Sequence, residues 1–126
     1  MTRINLSVPP EKLTDKHLLA EHREIVRIPN CVRKGRYSMK DQPDQFTLGK
    51  GHVKFFYDKL GYLRLRYESI YTEAKTRGFN VTYFGDAFEG LDSSLMGNYL
   101  PTKRDREIIK ERLVSKDVIY EDILKG

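Results

Sequence analysis

The chain is predicted to be all-α, a compact single domain spanning residues 1–126 and built from about three main helices with long irregular connections. Apolar residues recur at steps of three and four from Val53 to Ala74, a second helical pattern runs from Leu18 to Val26, and no segment alternates as a half-buried strand does. Pro9-Pro10 sets off a short amino-terminal arm. Thr14 is suited to cap the first helix, with Asp15 in its first turn and Leu13 as a staple residue. Leu18, Leu19, His22, Ile25 and Val26 then fall on one face, and Pro29 is expected to end or kink the helix near Ile28. Residues 32–45, rich in Lys, Arg, Asp and Pro, read as a loop able to touch a phosphate backbone.

After Gly49-Lys50-Gly51 the longest periodic run begins. Val53, Phe56, Tyr57, Leu60, Leu63, Tyr67, Ile70, Tyr71 and Ala74 predict a central, mostly buried helix of roughly 25 residues. Gly61 inside that run costs up to about 1 kcal/mol against alanine, which points to close packing there. Gly78 is placed to terminate the helix after Arg77. Residues 79–101, with Gly85, Gly90, Gly97 and Pro101, read as a long irregular connection. Thr102 and Asp105 have capping-pair spacing ahead of a helix to about Leu113, and Ser115 is placed to cap a last short helix over 116–124.

Composition narrows the function classes. At 39% hydrophobic and 33% charged residues the chain is that of a folded globular protein rather than a disordered one. No stretch approaches the roughly 18 apolar residues of a membrane span, and the start lacks a signal-peptide apolar region. Cys31 is the sole cysteine, so no internal disulfide is possible. His17, His22 and His52 are too scattered in sequence for a metal site, and phosphate-loop, dinucleotide and nucleophile-elbow motifs are absent. Net charge is +5, but residues 1–79 hold 16 Lys/Arg against 9 Asp/Glu, while residues 80–126 hold 7 against 9. A basic amino-terminal part is suited to a polyanion such as nucleic acid.

Two features carry possible chemistry. The chain opens Met1-Thr2-Arg3, and methionine is normally removed before a residue as small as threonine. Thr2 would then bear a free α-amine of pKa near 7.7–8.0, about a tenth or more neutral at pH 7 and able to attack a sugar carbon. The helical segment 17–27 places His17, Glu21, Glu24 and Arg27 along one polar stripe flanked by Arg23. On spacing alone, a solvated face laced with ion pairs is the commoner meaning of such a stripe, and a Met-Thr start alone carries no information.

The stretches M-T-R-I-N-L at 1–6, D-K-H-L-L-A-E-H-R-E at 15–24, V-R-K at 32–34, L-G-K-G-H-V-K-F-F-Y-D-K-L at 48–60 and R-G-F-N at 77–80 together resemble the pyrimidine-dimer DNA glycosylase / AP-lyase family, of the phage endonuclease V type. The resemblance implies base excision through a Schiff base on the Thr2 amine. It implies that Glu24 is the essential carboxylate and that β-elimination cuts the strand. It also implies DNA-binding roles for Arg3, His17, Arg23, Arg27, Arg33 and Lys34, with no cofactor and no metal. The expected partner is double-stranded DNA containing a damaged base or abasic site. A monomer is expected, in the cytoplasm at the nucleoid, with a phage-encoded origin in a bacterial host among the expectations. His22 stands where the family has tyrosine, residues 81–126 match poorly, and the tail from Tyr120 is net acidic. The lesion therefore stays open. A non-catalytic double-stranded DNA-binding module and a helical protein-interaction domain remain as alternatives.

Overall fold

A computed structural model describes residues 2–116. Its helices are α1 (Asp15–Glu24), α2 (Arg27–Arg33), α3 (His52–Phe55), α4 (Leu60–Thr76) and α5 (Lys103–Lys116), with short 3₁₀ turns at Pro10–Lys12, Gly85–Phe88 and Ser93–Leu95. Among the described residues there is no strand beyond an isolated bridge between Lys59 and Met96. The chain is all-α, as the periodicity predicts.

The helix ends follow the expected chemistry. The Thr14 side chain accepts from the His17 N–H and caps α1. Thr102 and Asp105 form a reciprocal box, the Thr102 N–H on Asp105 Oδ2 at 2.9 Å and the Asp105 N–H on Thr102 Oγ1 at 3.1 Å. Tyr99 adds its hydroxyl to the same buried carboxylate. At the end of α4, Gly78 at φ 89° donates to Lys75 O and Phe79 donates to Ala74 O, the paired bonds of a Schellman stop.

Two boundaries depart from the sequence expectation. α1 stops at Glu24, four residues earlier than Ile28, and a turn at Ile25-Val26 starts α2. Pro29 lies in the first turn of α2, where a missing N–H interrupts no helical bond. The helix thus continues through Val32 and Arg33, which were expected in the loop. The long central helix is also divided: α3 is one turn, residues 56–59 are non-helical, and α4 supplies the rest. The division has a packing cause. The 96–97 backbone crosses here, with the Gly97 N–H on Asp58 O and the Tyr62 N–H on Gly97 O. A Cβ on Gly61 would lie 2.5 Å from the Met96 carbonyl oxygen, which accounts for the interior glycine. Ser115 lies within α5 instead of capping a new helix. The helix expected over 116–124 and the acidic tail fall outside the described residues beyond Lys116.

α1 packs on α4, and α2 packs on the Gly85–Phe88 turn. Tyr67, Phe46, Phe55, Phe56 and Phe88 are the largest buried side chains, and Phe46, Phe55 and Phe56 meet edge to face. The amino-terminal arm enters this core. Ile4, Leu6 and Val8 are buried, so the segment leading to Thr2 is packed chain and its position is set by the core.

Candidate active site

The end of the arm is held by backbone hydrogen bonds to three side chains. The Arg3 N–H donates to Glu24 Oε1 at 2.9 Å. The Ile4 N–H donates to His52 Nε2 at 3.1 Å, while Nδ1–H of that ring donates to Thr47 O at 2.9 Å. Arg66 Nη1 donates to Val8 O at 3.0 Å. Thr2, half-buried, is therefore one residue from a nitrogen that touches the Glu24 carboxylate.

His52 serves this arrangement only when neutral, because Nε2 must accept. Burial is the largest influence and lowers its pKa. The Thr47 carbonyl acts in the opposite sense, Arg112 lowers it and Glu21 raises it, and the net direction is down. His22 is shifted down as well, again mainly by burial, and lies within hydrogen-bond range of Thr82 O at 3.0 Å and the Tyr67 hydroxyl at 3.1 Å. A histidine with a lowered folded pKa contributes stability that is complete above its unfolded value near 6.5 and is lost as pH falls below it. Urea unfolding is expected to show stability decreasing from pH 7 to pH 5, by up to about 1.4 kcal/mol per pH unit for each histidine. Replacing His52 with Asn should flatten that slope, and an unchanged slope would rule out its neutral role.

Glu21 and Glu24 fall on the same stripe but have different environments. Glu21 is buried and receives Arg66 Nε at 2.5 Å, Arg66 Nη2 at 3.0 Å and Asn5 Nδ2 at 2.9 Å. Burial alone would depress the Arg66 pKa, but the charge and hydrogen bonds of Glu21 outweigh it and the net direction is up. Glu24, at the last position of α1, is only half-buried and open to a small depression lined by Arg3, Asn5, His17, Glu21 and Arg112. Glu21 is thus engaged in holding the fold, while Glu24 accepts from the arm and borders the depression.

Arg112, on α5, was not among the residues singled out from sequence. It donates to Asn5 Oδ1. Burial pulls its pKa down, Glu21 and Glu24 support its charge, and Arg3 and Arg66 oppose it. No motif marks it, since it sits beyond the stretches that resemble a known family.

The other predicted cations lie elsewhere. Arg23, Arg27 and Arg33 line a separate open cleft with Tyr83 and Phe84, because the break at Ile25-Val26 turns Arg27 away from the stripe that carries His17, Glu21 and Glu24. Arg33 Nη2 lies within donating distance of three carbonyl oxygens, Asp86 O and Ala87 O at 3.0 Å and Glu89 O at 2.5 Å, so this side chain ties α2 to the Gly85–Phe88 turn. Lys34 is exposed at the end of α2. Among the described residues no cluster of three or more His, Cys, Asp or Glu could hold a metal, and no helix is long and apolar enough to cross a membrane.

The helical scaffold clamps its amino-terminal arm beside a carboxylate, and arginines on the surrounding surface make that face electrostatically suited to an anion. Compared with known families, residues 1–84 match the one described as pyrimidine dimer DNA glycosylase. The chain belongs to that family, which indicates DNA glycosylase activity, damaged DNA as substrate and a place in DNA repair.

Proposed function

We propose that the protein removes a damaged pyrimidine from duplex DNA and then nicks the strand, using the α-amine of Thr2 as nucleophile and Glu24 as its acid–base partner. The observation that carries this reading is the 2.9 Å bond from the Arg3 N–H to Glu24. With Met1 removed, the terminal nitrogen is the next backbone nitrogen along, within about one Cα–Cα step of the carboxylate's bonded neighbour.

The lone pair of the neutral amine attacks C1′, and the glycosidic bond breaks with its electron pair leaving on the base nitrogen. The attached nitrogen loses a proton and the base gains one. Glu24 assists opening of the sugar ring and stabilises the cationic imine that results. Glu24 then takes the 2′ proton as the C3′–O bond breaks and the 3′ oxygen leaves with its phosphate, and water hydrolyses the imine to release the remaining sugar from Thr2. Arg3 and Arg112 beside Glu24, and Arg23 and Arg27 in the neighbouring cleft, hold phosphates. His17, on the Glu24 side, is a proton-shuttling or orienting group. An α-amine suits this work better than lysine because of its much lower pKa.

The test is borohydride trapping on a duplex with a single abasic site. Met-free protein is expected to give a covalent adduct, whereas a form carrying one extra amino-terminal residue should lose most of it. Equal trapping by both forms, or binding without any adduct, would overturn the proposal; the latter would favour a non-catalytic DNA-binding module.

A further inference from the structure

Two consecutive amides of the arm are taken by side chains from different helices. The Arg3 N–H donates to Glu24 at the end of α1, and the Ile4 N–H donates at 3.1 Å to Nε2 of His52, the first residue of α3. One such bond would leave the arm free to swivel about it. Two bonds on adjacent peptide units, each planar, fix its rotation as well as its position. The Thr2 nitrogen is the next one out, so both bonds set its direction of approach. The steps assigned to Glu24 leave His52 without a part.

The partners of the His52 ring admit one tautomer only. Thr47 O, 2.9 Å from Nδ1, can only accept, and the Ile4 N–H can only donate. The ring therefore carries its proton on Nδ1 and presents a bare Nε2. A second proton would set N–H against N–H at a residue that is 4% exposed, leaving the Ile4 amide without its acceptor. Phe46 and Phe56 stand edge-on to the ring, with centroids 5.4 and 5.6 Å away, and restrict its turning. The charged groups acting on it are Arg112 from α5 and Glu21 from α1. Arg3 and Thr2, from the arm, border the same groove as the ring. Burial leads among these influences, and the net direction favours the neutral form.

We infer that His52 is a positioning residue for the Thr2 amine: its neutral ring aims the nucleophile, and a proton on Nε2 releases the arm and slows strand cleavage. This rests on the role proposed for Thr2. A misplacement of about 1 Å at a reacting centre can cost about 10²-fold in rate. His52 thus acts through the Ile4 amide on the rate of bond formation and has no contact of its own to make with DNA.

The test is single-turnover cleavage of a duplex with a preformed abasic site from pH 8 to pH 4.5, with binding titrated at each pH and one fixed salt concentration. His52→Leu has no acceptor for Ile4, and His52→Gln has one that does not titrate. At pH 8 cleavage is expected to fall about 10²-fold in His52→Leu and about tenfold in His52→Gln, with affinity within about threefold of the parent. Below the ordinary histidine value of 6.5 the parent should lose its advantage. Its ratio to His52→Leu declines toward one, and His52→Gln overtakes it. Protonation of the Thr2 amine and of Glu24 slows all three proteins alike and cancels in these ratios. Ratios that do not move with pH, or affinity losses as large as the cleavage losses, overturn the inference. If circular dichroism shows neither variant folded, the parent decides. The Ile4 amide signal in nuclear magnetic resonance is expected to shift at the same midpoint as the His52 ring, and an Ile4 signal indifferent to that titration overturns the inference. Failure of the parent to cut the abasic duplex counts instead against the role of Thr2, while the Ile4 signal still tests the clamp, so the two ideas fail separately.

Discussion

Glu24→Gln is expected to lower abasic-site cleavage by about 10²–10⁴-fold, the usual worth of a positioned acid–base group, while affinity for the same duplex stays within about twofold. Glutamine is the informative replacement because its carbonyl oxygen can still accept the Arg3 N–H that Glu24 holds at 2.9 Å. The arm therefore stays clamped and only the charge and proton capacity are removed. Single-turnover cleavage and a binding titration at one fixed salt concentration separate the two effects, since affinity for DNA depends steeply on salt. Equal losses in binding and cleavage would mean that Glu24 only positions the arm. Retained cleavage would remove it from the chemistry altogether.

The largest effect on stability is expected at the adjacent stripe position. Glu21→Ala leaves the Arg66 guanidinium buried without its carboxylate, and Arg66 side-chain exposure is only 7%. Breaking a buried pair by removing one partner costs about 3–5 kcal/mol, and the loss of the Asn5 contact adds to it. Urea denaturation and a thermal melt should show the change, the latter as a drop on the order of 10 °C or more. Arg66→Met alone should be similarly damaging, because it strands Glu21. The double variant Glu21→Leu/Arg66→Met should be less destabilised than the sum of the two single changes. Additive losses would show that the pair is not coupled. Two carboxylates three positions apart on α1 thus give opposite outcomes: one variant folds and fails to cut, and the other is impaired in folding.

That contrast marks how far the sequence could be read. The spacing of His17, Glu21 and Glu24 was visible as a helical stripe, and all three do line one depression. Which carboxylate is buried was not visible, because the burial depends on Arg66, 45 residues further along the chain. Local devices were legible: the Thr14 cap, the Thr102–Asp105 box and the Gly78 stop each need only neighbours within a turn. The two helix breaks were not. The division before α4 is set by the 96–97 backbone crossing at Gly61, and the end of α1 at Glu24 sits where no proline or glycine announces it. The same locality limits the site. The arm carries part of the family resemblance, but its burial through Ile4, Leu6 and Val8, and its hold on His52, are long-range facts. Arg112 had no motif to mark it, although α5 brings it to both Glu24 and Thr2.

In the proposed reaction the terminal nitrogen, and no lysine, forms the bond to DNA. Digestion of the borohydride-trapped complex followed by peptide mass spectrometry locates that bond directly. The sugar remnant is expected on a peptide beginning at Thr2, attached at its α-nitrogen. A remnant on a lysine side chain, with the Thr2 amine unmodified, would contradict it.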